Sequence, residues 1–176
     1  MEPNQQTSKQ FFRTINILFL ALFAGPFLFA CIAVFMNSGE NLRFQFFSSE
    51  EPVFIAATTL AIIDLFVSRI MYRYQIKRYN KDDKLHVKMA TYQTAVIIRL
   101  ALIEGASLLL IVSFFLSANL TALIFLGLMF IQFYFFKPSR EEAIRDLHLN
   151  YNETAQVNNP DAIIGQGVPQ EHTIRR

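Results

Sequence analysis

The run from Thr14 to Met36 carries no formal charge and is apolar almost throughout. At the standard rise per residue it makes roughly 34 Å of helix, enough to cross the hydrocarbon core of a bilayer. A helix that is apolar on every side is buried either in a large core or in lipid, and a chain of 176 residues has no room for the first. Three further segments read as spans. Val53 to Met71 keeps an apolar background while including Asp64 and Arg69, Thr94 to Leu116 is broken by Arg99 and Glu104, and Leu120 to Phe136 has Gln132 as its most polar member. The composition agrees, with 53% hydrophobic residues and 19 phenylalanines. The expected fold class is therefore all-α: a polytopic membrane protein with four transmembrane helices in two hairpins. Only Ser117, Ala118 and Asn119 separate the last two spans, so these should turn back on each other tightly.

Lys and Arg are held on the cytoplasmic side during insertion, whereas acidic residues matter little. Lys9 and Arg13 precede the first span. Arg73, Lys77, Arg78, Lys81, Lys84 and Lys88 lie between the second and third, and Lys137, Arg140 and Arg145 follow the fourth. The loop from Asn37 to Pro52 has Arg43 as its one basic residue, beside Glu40, Glu50 and Glu51, and the loop between spans three and four has no charge. Both termini are expected in the cytoplasm, in an inner-membrane arrangement of bacterial type. Phe44, Phe46 and Phe47 in the outer loop suit either a short interfacial element or an unstructured loop.

At the N-terminus, Lys9 and Arg13 before an apolar run, with Leu28-Phe29-Ala30-Cys31, loosely resemble a cleaved lipoprotein leader. Phe29 is bulky where a small residue is usual, and the apolar run continues past Cys31, so the first span is expected to stay. Residues 1–13 are then a cytoplasmic segment and 14–136 the transmembrane domain. After Pro138, Ser139-Arg140-Glu141-Glu142 has the form of a capping box in which Ser139 caps the amide of Glu142 and Glu142 reaches back. A short helix should run from Arg140 to about Leu149. Its apolar side of Ile144, Leu147 and Leu149 would face the membrane surface or the body of the protein. From Asn150 onward the weak periodicity, Asn-Asn-Pro-Asp and Gly-Gln-Gly read as a flexible tail.

Several function classes lose support. A net charge of +2, with basic residues scattered around apolar segments, gives no nucleic-acid face. A single cysteine and three dispersed histidines give no disulfide and no metal cluster. No nucleophile accompanies a positioned His and no glycine-rich phosphate loop is present, so neither catalysis nor a cofactor is expected.

What remains is the charge inside the spans. Ionisable groups at that depth are costly and mark either paired structural networks or ion pathways. With alternating span directions, Asp64 lies within roughly 2 Å of the mid-plane and Arg69 roughly 10 Å toward the cytoplasm. Glu104 shares the central layer, and Arg99 lies at nearly the depth of Arg69, with Gln132 comparable on span four. On a helical wheel Glu104 is about 60° from Ala101 and about 140° from Arg99, which puts the carboxylate beside small residues and away from the arginine. The five residues Glu104, Asp64, Arg99, Arg69 and Gln132 form either a structural charge network, with carboxylates paired to arginines, or an ion-binding site in which Glu104 or Asp64 takes up a proton or cation.

Leu20-Ala21-Leu22-Phe23-Ala24-Gly25, followed by Leu28 and Phe35, matches Leu100-Ala101-Leu102-Ile103-Glu104-Gly105, followed by Leu108 and Phe115, at one constant offset. Spans one and three read as duplicated helices, with chance similarity of apolar segments as the alternative. Both place a small residue four positions before a glycine, Ala21 with Gly25 and Ala101 with Gly105, a spacing that admits another helix backbone. Ala24 stands where the third span has Glu104.

The stretch Lys88-Met89-Ala90-Thr91-Tyr92-Gln93-Thr94, Leu100-Ala101-Leu102-Ile103-Glu104-Gly105 and Leu108 to Leu116 resembles the carboxylate-bearing helix of the proteolipid (c-type) ring subunits of rotary ATPases. The resemblance implies an ion-carrying role for Glu104. It does not extend to the preceding span, which lacks glycine and carries Asp64 and Arg69. The sequence thus leads to a membrane protein with an assembly or scaffold role, partnered by lipid and by itself or other membrane subunits. Proton or cation translocation through Glu104 is the alternative.

Overall fold

A computed structural model describes residues 5–39, 52–80 and 82–166. The outer-loop aromatics Phe44, Phe46 and Phe47 lie outside the described residues. The element order is β1 (Gln5–Thr7), α1 (Ser8–Met36), a 3-10 turn (Asn37–Gly39), α2 (Pro52–Ile76), α3 (Leu85–Ser117), α4 (Leu120–Phe135), α5 (Arg140–Asp146), α6 (Tyr151–Asn158) and β2 (Ile163–Gln166).

Helix α3 is the axis of the molecule, since α1, α2 and α4 all pack on it and α2 also packs on α4. Its fully buried residues Met89, Tyr92, Val96, Leu100, Ile103, Ser107, Leu110 and Phe114 recur every three or four positions, a stripe that one side of a helix presents. The phenylalanines find a use between α1 and α4, where Phe23 meets Phe130 edge-on at 5.4 Å and Phe133 at 5.7 Å, and Phe19 meets Phe133 at 6.3 Å. Pro26 sits inside α1 without ending it, as membrane helices permit.

The surface of the long helices is apolar. Only 17% of the most apolar window of α1 is buried, against 50% for α3, and Phe35, Phe66, Ile70 and Leu116 are largely exposed. In water such a surface would drive aggregation, whereas in lipid it is the ordinary outer face of a bundle. Helices α1, α2 and α3 are long and apolar enough to cross a membrane, and α4 with α5, bent by 79° at the break between them, makes a candidate fourth. The class of protein is a multi-pass helical membrane protein.

The α3–α4 turn is closed by local chemistry. Ala118 takes the left-handed conformation at φ 52°, and the Asn119 side chain accepts from the amide of Thr121 at 3.0 Å, satisfying one of the free donors at the start of α4. At the same end, the Asn37 amide donates to the carbonyls of Phe114 and Phe115, tying the end of α1 to the end of α3.

At the opposite end the chain differs from the sequence reading. Helix α1 begins at Ser8, so much of the expected N-terminal segment is helical and Phe11, Phe12 and Ile15 are buried. The expected flexible tail is ordered from residue 150 to 166, as α6 and β2. Strand β2 pairs antiparallel with β1, Gln5 with Gln166 and Gln6 with Gly165. The following amides, Ser8 and Lys9 at the start of α1, donate to the carbonyls of Ala162 and Pro160 at 2.9 and 3.0 Å. Ser8 Oγ in turn donates to the carbonyl of Val157 near the end of α6 at 2.6 Å. The two chain ends thus satisfy each other's unpaired backbone groups, a source of order that no single segment displays. Helix α5 is shorter than expected, and Leu147 and Ala143 are buried against the body of the protein.

Candidate functional site

The five polar residues singled out in the spans do not form one network. They separate into an arginine cluster at the α5 end of the bundle and two carboxylates elsewhere on the helices.

Arg99 is buried and pairs with Glu142 on α5, with Nη1 2.9 Å from Oε1. Its guanidinium lies between two rings, 4.1 Å from the Tyr72 centroid and 4.5 Å from that of Phe136, and Nη2 donates to the Phe136 carbonyl at 3.2 Å. Tyr92 completes the carboxylate's shell by donating to Glu142 Oε2 at 2.8 Å. Arg69 shares the Phe136 ring at 5.4 Å but makes no ion pair among the described residues. Glu142 was read only as a capping residue. Ser139 does cap its amide at 3.1 Å, yet the side chain turns to Arg99 and Tyr92 instead of back to Ser139. A buried guanidinium outweighs an exposed cap amide in its need for a partner.

Around this pair, α5 and α6 are pinned beneath the bundle. Tyr72 donates to Asp146 Oδ2 at 2.8 Å, and Tyr79 donates to the Leu147 carbonyl at 2.6 Å. Burial is the leading cause that pushes the Tyr79 phenol above its ordinary pKa. Lys88, also buried, pairs with Glu153 of α6 at 2.8 Å. Glu153 additionally forms a capping box with Asn150, so one carboxylate starts α6 and anchors it to α3.

The carboxylates have a different setting. Asp64 is buried, and its Oδ2 has no hydrogen-bond partner among the described residues. One turn on, Ser68 Oγ donates to the Asp64 carbonyl at 2.6 Å and accepts from Gln132 Nε2 at 2.8 Å, so Gln132 links α4 to α2 through Ser68 and not to either arginine. Glu104 is half-buried and makes no ion pair among the described residues. It faces α1: a Cβ placed on Gly25 would lie 3.6 Å from Glu104 Oε1. Among the described residues nothing packs closely at Gly105. A Cβ there would meet nothing within 4 Å, and Ala21, Gly25, Ala101 and Gly105 are all exposed. Glu104 therefore sits between two strips of small residues that the described residues leave uncovered.

No group of three or more His, Cys, Asp or Glu able to hold a metal occurs among the described residues. No protein-family model matches the chain, and neither a curated protein nor a solved structure matches it.

Proposed function

We propose that this chain is an assembly subunit of the membrane, whose α1/α3 face docks a transmembrane helix of a second copy. One observation carries the reading: Glu104, half-buried and without an ion pair among the described residues, lies beside the exposed small residues Ala21, Gly25, Ala101 and Gly105. A carboxylate at membrane depth seeks a hydrogen-bonding partner, and small residues let a helix backbone approach closely enough to offer one. In this arrangement α4 is the fourth crossing, the helices form the expected two hairpins, and both termini lie in the cytoplasm with the basic loops.

The test uses the space at Gly105. Because a Cβ there meets nothing within 4 Å among the described residues and Gly105 is exposed, Gly105→Leu is expected to leave the fold of the single chain intact, checked by circular dichroism, while blocking the face. The full chain, purified in mild detergent and sized by light scattering, should be oligomeric, and Gly105→Leu should shift it to monomer. A wild-type chain that is monomeric both in detergent and in lipid nanodiscs, or an oligomer indifferent to Gly105→Leu, sinks the proposal.

Ion translocation stays as a second reading because neither arginine pairs with Asp64 or Glu104: Arg99 is held by Glu142, and Arg69 makes no ion pair among the described residues. Neither carboxylate is then held ionised by an arginine partner, and the resemblance to proteolipid ring helices points the same way. Ion flux into proteoliposomes that Glu104→Gln abolishes, with assembly unchanged, would favour it over the scaffold.

A further inference from the structure

A cavity of about 730 Å³ opens between the C-terminal ends of α2 and α4, the middle of α3 at Arg99, and the underlying α5. This is within the range of small-ligand sites, roughly 300–1,000 Å³. Its charge is unbalanced. Arg99 is neutralised by Glu142 and Arg145 by Asp146, at 2.9 Å each. The same wall also carries Arg69, Arg73 and Lys77, none of which has an ion pair among the described residues.

Arg69 and Arg73 are four residues apart on α2, and Lys77 follows four residues on, just past its last residue, with its amide still donating to the Arg73 carbonyl at 3.2 Å, so the three stand one above another on a single face. Like charges at that spacing repel and destabilise the helix that carries them. The repulsion is relieved when an anion sits against the stripe.

Position selects the anion. The cavity lies where the apolar helices end, and the α2 and α4 residues beside its lining, Ile70 and Phe135, are exposed apolar side chains at 64% and 74%. A ligand filling the cavity thus has basic groups around one end and a lipid-facing apolar surface beside the other. We infer that the cavity binds the phosphate headgroup of an anionic membrane lipid, with Arg69, Arg73 and Lys77 contacting the phosphate and the acyl chains lying on the exposed surface of α2 and α4. This is independent of the docking face at Glu104, and basic pockets on the cytoplasmic side of helical bundles suit such headgroups physically.

The experiment uses the full chain in a neutral detergent, titrated with phosphatidylglycerol, phosphatidylcholine or inorganic phosphate. Native mass spectrometry counts bound lipid, and the thermal midpoint serves as a second readout. Phosphatidylglycerol should bind at one per chain, at least tenfold more tightly than phosphatidylcholine, and raise the midpoint. The triple variant Arg69→Gln, Arg73→Gln, Lys77→Gln should lose at least tenfold in that affinity. Arg78→Gln, a loop charge outside the cavity lining, should not. All three replaced cations are exposed, so the variant is expected to fold, and circular dichroism checks this. Equal binding of phosphatidylglycerol and phosphatidylcholine, an undiminished affinity in the folded triple variant, or inorganic phosphate binding as tightly as the lipid would each overturn the proposal.

Discussion

Arg99 shows how a single buried charge organises one end of the molecule. It is held by a carboxylate, two aromatic faces and a backbone carbonyl contributed from α2, α5 and the α4–α5 junction. Removing one partner of a buried pair leaves the other charge uncompensated, whereas replacing both by apolar groups of similar volume is often tolerated. Glu142→Gln should therefore destabilise the protein by about 3 kcal/mol, seen as a lower thermal midpoint in detergent, and the double variant Arg99→Met, Glu142→Met should recover much of the loss. A double variant no better than Glu142→Gln would mean that the pair's hydrogen bonds to Tyr92 and Phe136 matter more than its charge. Sequence alone identified Arg99 as a residue needing a partner, because cost at depth follows from position along a span. It could not supply Glu142, since the two are far apart in the chain and Ser139 offered Glu142 a local use that looked sufficient.

Among the elements, the long helices were legible because hydropathy is a local property, and the tight α3–α4 connection followed from three polar or small residues between two apolar runs. The turn has a cost, however: a non-glycine residue in the left-handed region is strained, and a β-branched one more so. Ala118→Ile should lower the thermal midpoint, while Ala118→Gly should leave it unchanged or raise it. The opposite order would show that the turn relaxes out of the left-handed conformation at little cost. Helix α6 was missed although Asn150 and Glu153 have the spacing of a capping box. The surrounding Asn, Pro and Gly outweighed that signal, and the contacts that hold α6, Lys88 with Glu153 and Ser8 with the Val157 carbonyl, join parts of the chain that periodicity never compares.

For the whole molecule, the proposed topology makes a direct prediction. A reporter fused after the last residue should be active in the cytoplasm, and one inserted between Asn37 and Pro52 should be active outside it. A cytoplasmic signal from the loop would overturn the arrangement. The positive flanks are displayed directly by the sequence and carry the proposed orientation, whereas the division of the polar residues of the long helices into separate groups was not legible, since depth along a helix says nothing about which way a side chain turns once neighbours are chosen.

The ribbon made by β1 and β2 adds a condition of parity. Two strands hydrogen-bonded to each other occupy the same aqueous compartment, so a chain stitched together at both ends must traverse the bilayer an even number of times. Four crossings meet that condition and three do not, so the proposed topology rests on the short helix α4. The ribbon also sets an order of events during synthesis. β1 waits unpaired until the last helix has been made and β2 has emerged, so this end of the molecule closes only on a completed bundle.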